Sequence, residues 1–193
     1  MQPEVLIAYV TRSGSTEDIA EAMGLTMQET GISVDVKPMV DVESIPENAA
    51  VILGVALYVG HFPKEFHRFV AEFKSELANA HPWIFVVGPT EQDPKHFASA
   101  EEQARKELAK YPWLRAADVR VFGGKFDPNH LNLPFPMSLV MKLPGNPMRK
   151  LPVSDIRDWA WIRRWAGAIA DHLKREADVA EGIEQCVYPG ARD

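Results

Sequence analysis

Five apolar runs of strand length, each followed by residues of a different period, constrain this chain more than anything else in it. The runs fall at about residues 4–10, 33–37, 50–57, 83–87 and 119–123. Residues 5–10 and 50–57 lack the in-out alternation of a half-exposed strand, the pattern of parallel strands covered on both faces. Between the runs, apolar residues recur at helical spacing: Ile19, Ala20, Met23 and Met27, closed by Gly31; Phe66, Phe69, Val70, Phe73 and Leu77 as one helix after Pro63; Phe97, Ala100, Ala104, Leu108 and Tyr111. Such an alternation with right-handed crossovers makes an open parallel sheet with helices on both faces, a three-layer α/β/α domain over residues 1–175. Five strands, with a Thr/Ser/Gly loop straight after the first, predict the order 2-1-3-4-5.

That loop reads Thr11-Arg12-Ser13-Gly14-Ser15-Thr16 and opens a helix. Hydroxyls, backbone amides and the positive end of a helix dipole converge there, which is the chemistry of a phosphate site. No P-loop lysine follows, which excludes a nucleoside triphosphate. The alternative is that Ser15, Thr16, Glu17 and Asp18 are an ordinary helix start with acidic first-turn residues. The phosphate reading requires Glu17 and Asp18 to point away from the anion. In an open sheet of this order the ligand lies beyond the C-terminal ends of strands one and three, so residues 57–62 and the loop at 88–95 join the candidate site.

The chain has 193 residues, 46% hydrophobic and 25% charged, an ordinary globular balance. No apolar run approaches the roughly 18–20 residues of a membrane span, and the N-terminus has no signal-like pattern. The single cysteine, Cys186, excludes an internal disulfide and fits a reducing cytoplasm. His67, His81, His96, His130 and His172 show no ligand spacing, so no metal is expected. Net charge is −6, which argues against nucleic acid, but it is unevenly spread. Residues 125–154 carry Lys125, Lys142, Arg149 and Lys150 against Asp127 alone, and six of the fifteen prolines. This basic, Pro-rich insert separates strand five from a last helix expected from Ser154 to about Lys174, followed by a polar tail from residue 176. Within it Phe135, Met137 and Met141 stand among Lys142, Arg149 and Lys150. One reading is a short helix packed on the sheet edge. The other is a flap for an apolar anionic substrate or an anionic membrane surface.

Thr11-x-Ser13-Gly14-x-Thr16 after a first strand resembles the FMN-phosphate loop of flavodoxins, and the likeness covers nearly the whole chain. Within that family it is most similar to the flavodoxin-like protoporphyrinogen dehydrogenases that pass electrons to quinones. Thr11-Arg12-x-Gly14-x-Thr16, Gly60-His61 before a Phe-rich helix, and the basic insert carry that likeness. One position departs: the residue directly before Gly-His, aromatic in those enzymes, is Val59, with Tyr58 one place earlier. The resemblance implies an FMN-dependent oxidoreductase, with the phosphate on Thr11, Arg12, Ser13, Gly14, Ser15 and Thr16. Leu57, Tyr58, Val59, Gly60 and His61 would form one wall of the ring site, and Pro89, Thr90, Glu91, Gln92 and Asp93 the other. His61 is the candidate proton-handling residue. The implied partners are a protoporphyrinogen-like donor and a quinone, with peripheral attachment to the cytoplasmic membrane. Two rivals are an electron carrier that docks on redox proteins, which suits the acidic body, and a flavin-free domain of the same fold.

Overall fold

The computed structural model describes residues 4–127 and 153–187, with side chains as far as residue 180. Its centre is a five-stranded parallel sheet in the order β2-β1-β3-β4-β5, as the alternation predicts. The strands are β1 (Glu4–Val10), β2 (Ser33–Pro38), β3 (Ala50–Ala56), β4 (Trp83–Val87) and β5 (Asp118–Phe122). Along β1, Leu6, Ala8 and Val10 enter one apolar layer, while Val5, Ile7 and Tyr9 enter the other. Burial on both faces is why the run has no polar alternation. The first layer is closed by α2 (Lys64–Glu72), α3 (Lys74–Ala80) and α4 (Pro94–Leu108), the second by α1 (Ser15–Gln28) and α5 (Trp159–Val187). β1 lies between β2 and β3, so the winding reverses there and opens a crevice at the C-terminal ends of β1 and β3.

Three expectations are corrected. The Phe-rich stripe is two helices rather than one: Phe73, at φ −99° and ψ 35°, leaves helical geometry between α2 and α3. The buried face nonetheless continues through the break, with the Phe69 and Phe73 rings 4.9 Å apart. The last helix does not begin at Ser154. Ser154 and Asp155 form β7, antiparallel to β6 (Lys125–Phe126), and the helix start is capped by Asp158, whose Oδ1 accepts the Trp161 amide at 2.9 Å. Finally, α5 runs on to Val187 rather than ending near Lys174. Residues 175–180 of this extension are mostly exposed, Val179 among them, and carry the good helix formers Arg175, Glu176, Ala177 and Ala180.

Candidate functional site at the ends of β1 and β3

The chain leaves β1 at Val10 and enters α1 through Gly14, whose φ of +80° is a left-handed conformation that suits glycine. The first-turn amides of α1 have no acceptor inside the helix, and no side chain caps them. The reading of Ser15 as an ordinary cap is therefore not borne out: Ser15 Oγ instead accepts the Lys125 amide at 3.2 Å. The hydroxyls of Thr11 and Thr16 are buried with no hydrogen-bond partner, and Thr16 has no exposed surface at all. Leaving one hydroxyl in that state costs about 1–3 kcal/mol, which an anion accepting from it would offset.

The two first-turn carboxylates each have a partner of their own. Glu17 Oε1 accepts from the Tyr9 hydroxyl at 2.7 Å. Asp18 Oδ2 accepts from Arg157 at 2.6 Å. Arg12 turns toward the next loop, its Nη2 3.5 Å from Glu65 and its guanidinium 5.6 Å from the centre of the Tyr58 ring. Burial pushes the Tyr58 phenol up, against the Ser13 hydroxyl and the Arg12 charge, which pull it down. Tyr58 thus joins the phosphate loop to the loop after β3.

That second loop is a two-residue hairpin. The amides of Tyr58 and His61 each donate to the other's carbonyl at 2.9 Å. The residues between them, Val59 at φ +47° and Gly60 at φ +80°, are both left-handed, the geometry of a type I′ turn. Glycine suits it; a β-branched residue is strained in it. Val59 stands 91% exposed at the tip, so the aromatic of this loop is Tyr58, half-buried at its base. Leu57 is fixed by its amide, which donates to the Val87 carbonyl at 2.8 Å.

The third loop, after β4, is held from both sides. The Gly88 amide donates to Phe122 at 3.2 Å and the Gly124 amide to Pro89 at 2.7 Å. Of the residues expected to face the ring, Asp93 is engaged elsewhere: its Oδ1 caps α4 by accepting the Lys95 amide at 2.8 Å. Glu91 is mostly exposed and lies 3.5 Å from His96. Pro89, Thr90 and Gln92 complete the loop.

A cluster that sequence reasoning missed lies behind His61. Glu107 on α4 is 3% exposed, yet is ringed by polar groups. Its Oε1 meets His61 Nδ1 at 3.0 Å and Lys110 Nζ at 2.6 Å. Its Oε2 faces the Phe62 amide at 3.5 Å and His67 Nε2 at 3.4 Å. The other ring nitrogen of His67 meets the Tyr111 hydroxyl at 2.5 Å. Burial pushes the Glu107 carboxyl up, but the hydrogen bonds from Lys110, His61 and the Phe62 amide prevail, and it titrates below the ordinary range. The signal was in the sequence: position 107 continues the stripe of Ala100 and Ala104 at helical spacing, and a charged residue there is buried by pattern.

Both roots of the insert are tied to the first turn of α1. Lys125 reaches Ser15 as described, and the Ile156 amide donates to Gly124 at 3.1 Å. Arg157, with 5% of its side chain exposed, bridges Asp155 and Asp18 and lies 4.5 Å over the Trp159 ring. Phe135, Met137, Met141, Lys142, Arg149 and Lys150 fall outside the described residues.

A cleft of about 360 Å³ opens beside the phosphate loop, lined by Tyr9, Thr11, Arg12, Glu17 and Glu65 among others. Another, of about 620 Å³, lies between Ala49, Ala50, Trp83 and Leu173. It sits at the N-terminal edge of the sheet, away from the crevice where such sheets take ligands. Among the described residues no group of His, Cys, Asp or Glu side chains is arranged to hold a metal ion, and no helix is long and apolar enough to cross a membrane.

Residues 6–146 match the flavodoxin domain, and the chain belongs to that family. FMN is the cofactor the family implies, and the unpartnered Thr11 and Thr16 hydroxyls at an uncapped helix start fit its phosphate. The chain is 26% identical over 174 residues to protoporphyrinogen IX dehydrogenase (quinone) of Escherichia coli K12, across 88% of this chain and 96% of the relative. Among solved structures, oxidised flavodoxin 1 from Bacillus cereus shares the fold with a TM-score of 0.54 at 18% identity, covering 88% of this chain and 98% of its own. Rubredoxin oxygen:oxidoreductase from Desulfovibrio gigas does so with a TM-score of 0.53 at 14% identity, covering 91% of this chain and 38% of its own.

Proposed function

We propose that this protein is an FMN-dependent dehydrogenase that oxidises an apolar, anionic donor of the porphyrinogen class and passes the electrons to a quinone. The observation that carries this reading is the placement of the insert. A plain electron carrier needs only the sheet, its helices and three loops. Here a basic, Pro-rich segment leaves and re-enters through β6 and β7, with both roots bonded to the first turn of α1. The match across nearly all of the E. coli dehydrogenase supports the same reading.

FMN, when bound, supplies the two-electron acceptor. The residues of the chain bind and orient. The hydroxyls of Thr11, Ser13 and Thr16, and that of Ser15, whose proton remains to be donated, hold the phosphate with the first-turn amides of α1. Arg12 adds charge near the anion. Tyr58 and the backbone of Leu57, Val59, Gly60 and His61 wall one side of the ring. Pro89, Thr90, Glu91 and Gln92 line the other, while Asp93 fixes the loop through α4. Phe135, Met137 and Met141 meet the apolar donor or membrane, and Lys142, Arg149 and Lys150 meet carboxylates or lipid phosphates. On this reading the protein works in the cytoplasm, at the surface of the membrane that carries the quinone. The excess of acidic charge outside the insert favours one second reading, a carrier that docks on basic redox proteins.

The test is the absorption spectrum of the purified protein, then anaerobic reduction by protoporphyrinogen and reoxidation by menaquinone. A bound flavin bleached by the porphyrinogen and restored by quinone is expected. A protein that binds FMN but is reduced only by a redox protein is the carrier; one that stays colourless with added FMN overturns both readings.

A further inference from the structure

Glu107 is assigned no part in holding the cofactor, yet it is a buried charge met by His61, Lys110, His67 and the Phe62 amide. A buried carboxylate costs several kcal/mol unless its lone pairs are met. An apolar side chain continuing the Ala100 and Ala104 stripe would pack α4 without that cost. What the carboxylate does is grip one specific atom, Nδ1 of His61, at 3.0 Å. His61 itself is 75% exposed, and it ends the hairpin at the C-terminal end of β3.

We propose that Glu107 is a positioning residue for His61. It keeps the imidazole proton on Nδ1 and leaves the Nε2 lone pair on the exposed edge of the ring, as acceptor of the proton a donor releases. The proton-accepting half of this rests on the dehydrogenase reading above; the tautomer does not. The chemistry follows from the two ends of the ring. An ionised carboxylate is acceptor-only, so the nitrogen facing it must carry the hydrogen, and in the neutral ring the other nitrogen is then a base. Nε2 lies on the ring edge away from Glu107. In the step itself an X–H bond of the ligand breaks, an Nε2–H bond forms, and the bonding pair stays on X. The imidazolium charge sits against the Glu107 carboxylate, as in other arrangements where a buried acid orients a histidine. No electron moves in this step. Lys110 on the same Glu107 oxygen, and His67 with Tyr111 on the other, hold the carboxylate ionised and fixed in direction.

The test is a long-range ¹H–¹⁵N correlation spectrum of the histidine rings in the flavin-free protein, above the titration range. His61 is expected as the Nδ1–H form, against the Nε2–H form that neutral histidine favours in water. E107L, which offers His61 no acceptor, is expected to lose that preference. A wild-type His61 with its proton on Nε2 overturns the proposal without reference to any variant or ligand, as does an E107L spectrum unchanged at His61. In the FMN-loaded protein, the limiting rate of reduction by the porphyrinogen is expected to fall at least tenfold in H61Q and in E107Q, with no further fall in the double variant and a partial return in E107D. Unchanged rates, beside a confirmed tautomer, overturn the proton-accepting role. Failure of porphyrinogen to reduce even the wild-type flavin defeats the dehydrogenase reading and with it the proton role, while the tautomer result stands.

Discussion

His61 Nδ1 and Glu107 Oε1 stand 3.0 Å apart, joining residues 46 positions distant in the chain. The contact fixes the hairpin after β3 to the last turns of α4. Two walls of the crevice that belong to different crossovers are thereby held in one geometry. Three of the groups around Glu107 are basic side chains: His61, His67 and Lys110.

That cluster makes a pH prediction. Burial acts to raise the Glu107 carboxyl, but the bonds from Lys110, His61 and the Phe62 amide leave it lowered. A lowered carboxylate contributes stability that is fully present above its unfolded value, about 4.3, and is lost as pH falls through the folded value. Chemical denaturation between pH 6 and pH 3 should show E107Q losing less stability over that range than the wild type. Parallel curves would mean that the carboxylate is not preferentially ionised in the fold.

The unpartnered hydroxyls separate binding from folding. Thr16→Val keeps the shape and removes a buried group without a partner, so the flavin-free protein should be unchanged or more stable by up to about 1 kcal/mol. The same change removes a donor to the phosphate and should weaken FMN about fivefold to tenfold. Thermal melts and fluorescence titration of FMN measure the two effects, and Thr11→Val should behave alike. A T16V apoprotein that loses stability would show that the hydroxyl has a partner in the fold itself.

Val59 is strained for a visible reason, its φ of +47° at the exposed tip of a type I′ turn. Val59→Asn places the residue that turn prefers beside Gly60. It should stabilise the protein by about 1 kcal/mol, seen as a rise in Tm of about 2–4 °C. A fall in Tm would place Val59 in a contact that outweighs the strain.

Gly54 tests the sheet centre. A Cβ there would lie 2.3 Å from Phe85 Cζ and within 2.9 Å of two further atoms of that ring. Phe85 is fully buried, so Gly54→Ala should cost about 1–3 kcal/mol through overpacking, measured by urea unfolding. A neutral result would mean that the Phe85 ring turns aside freely.

The five strands and their order were legible in the sequence because they are written in local pattern: period, apolar run length and turn residues. The place of the Thr11–Thr16 loop between β1 and α1 was legible for the same reason, since its residues are contiguous. Contacts distant in sequence were not. Ser154 looked like a helix start until Phe126 paired with it as a strand, and the Phe-rich stripe kept its period across a break that only the backbone angles of Phe73 reveal. Glu107 was visible only as a charge out of place on a stripe. The sequence by itself determined that a Thr/Ser/Gly loop would sit at the switch point of a doubly covered parallel sheet, because burial on two faces demands those apolar runs. Only the tertiary structure decided which nitrogen of His61 is held and by what, because that depends on where two crossovers bring α4 and the β3 loop together.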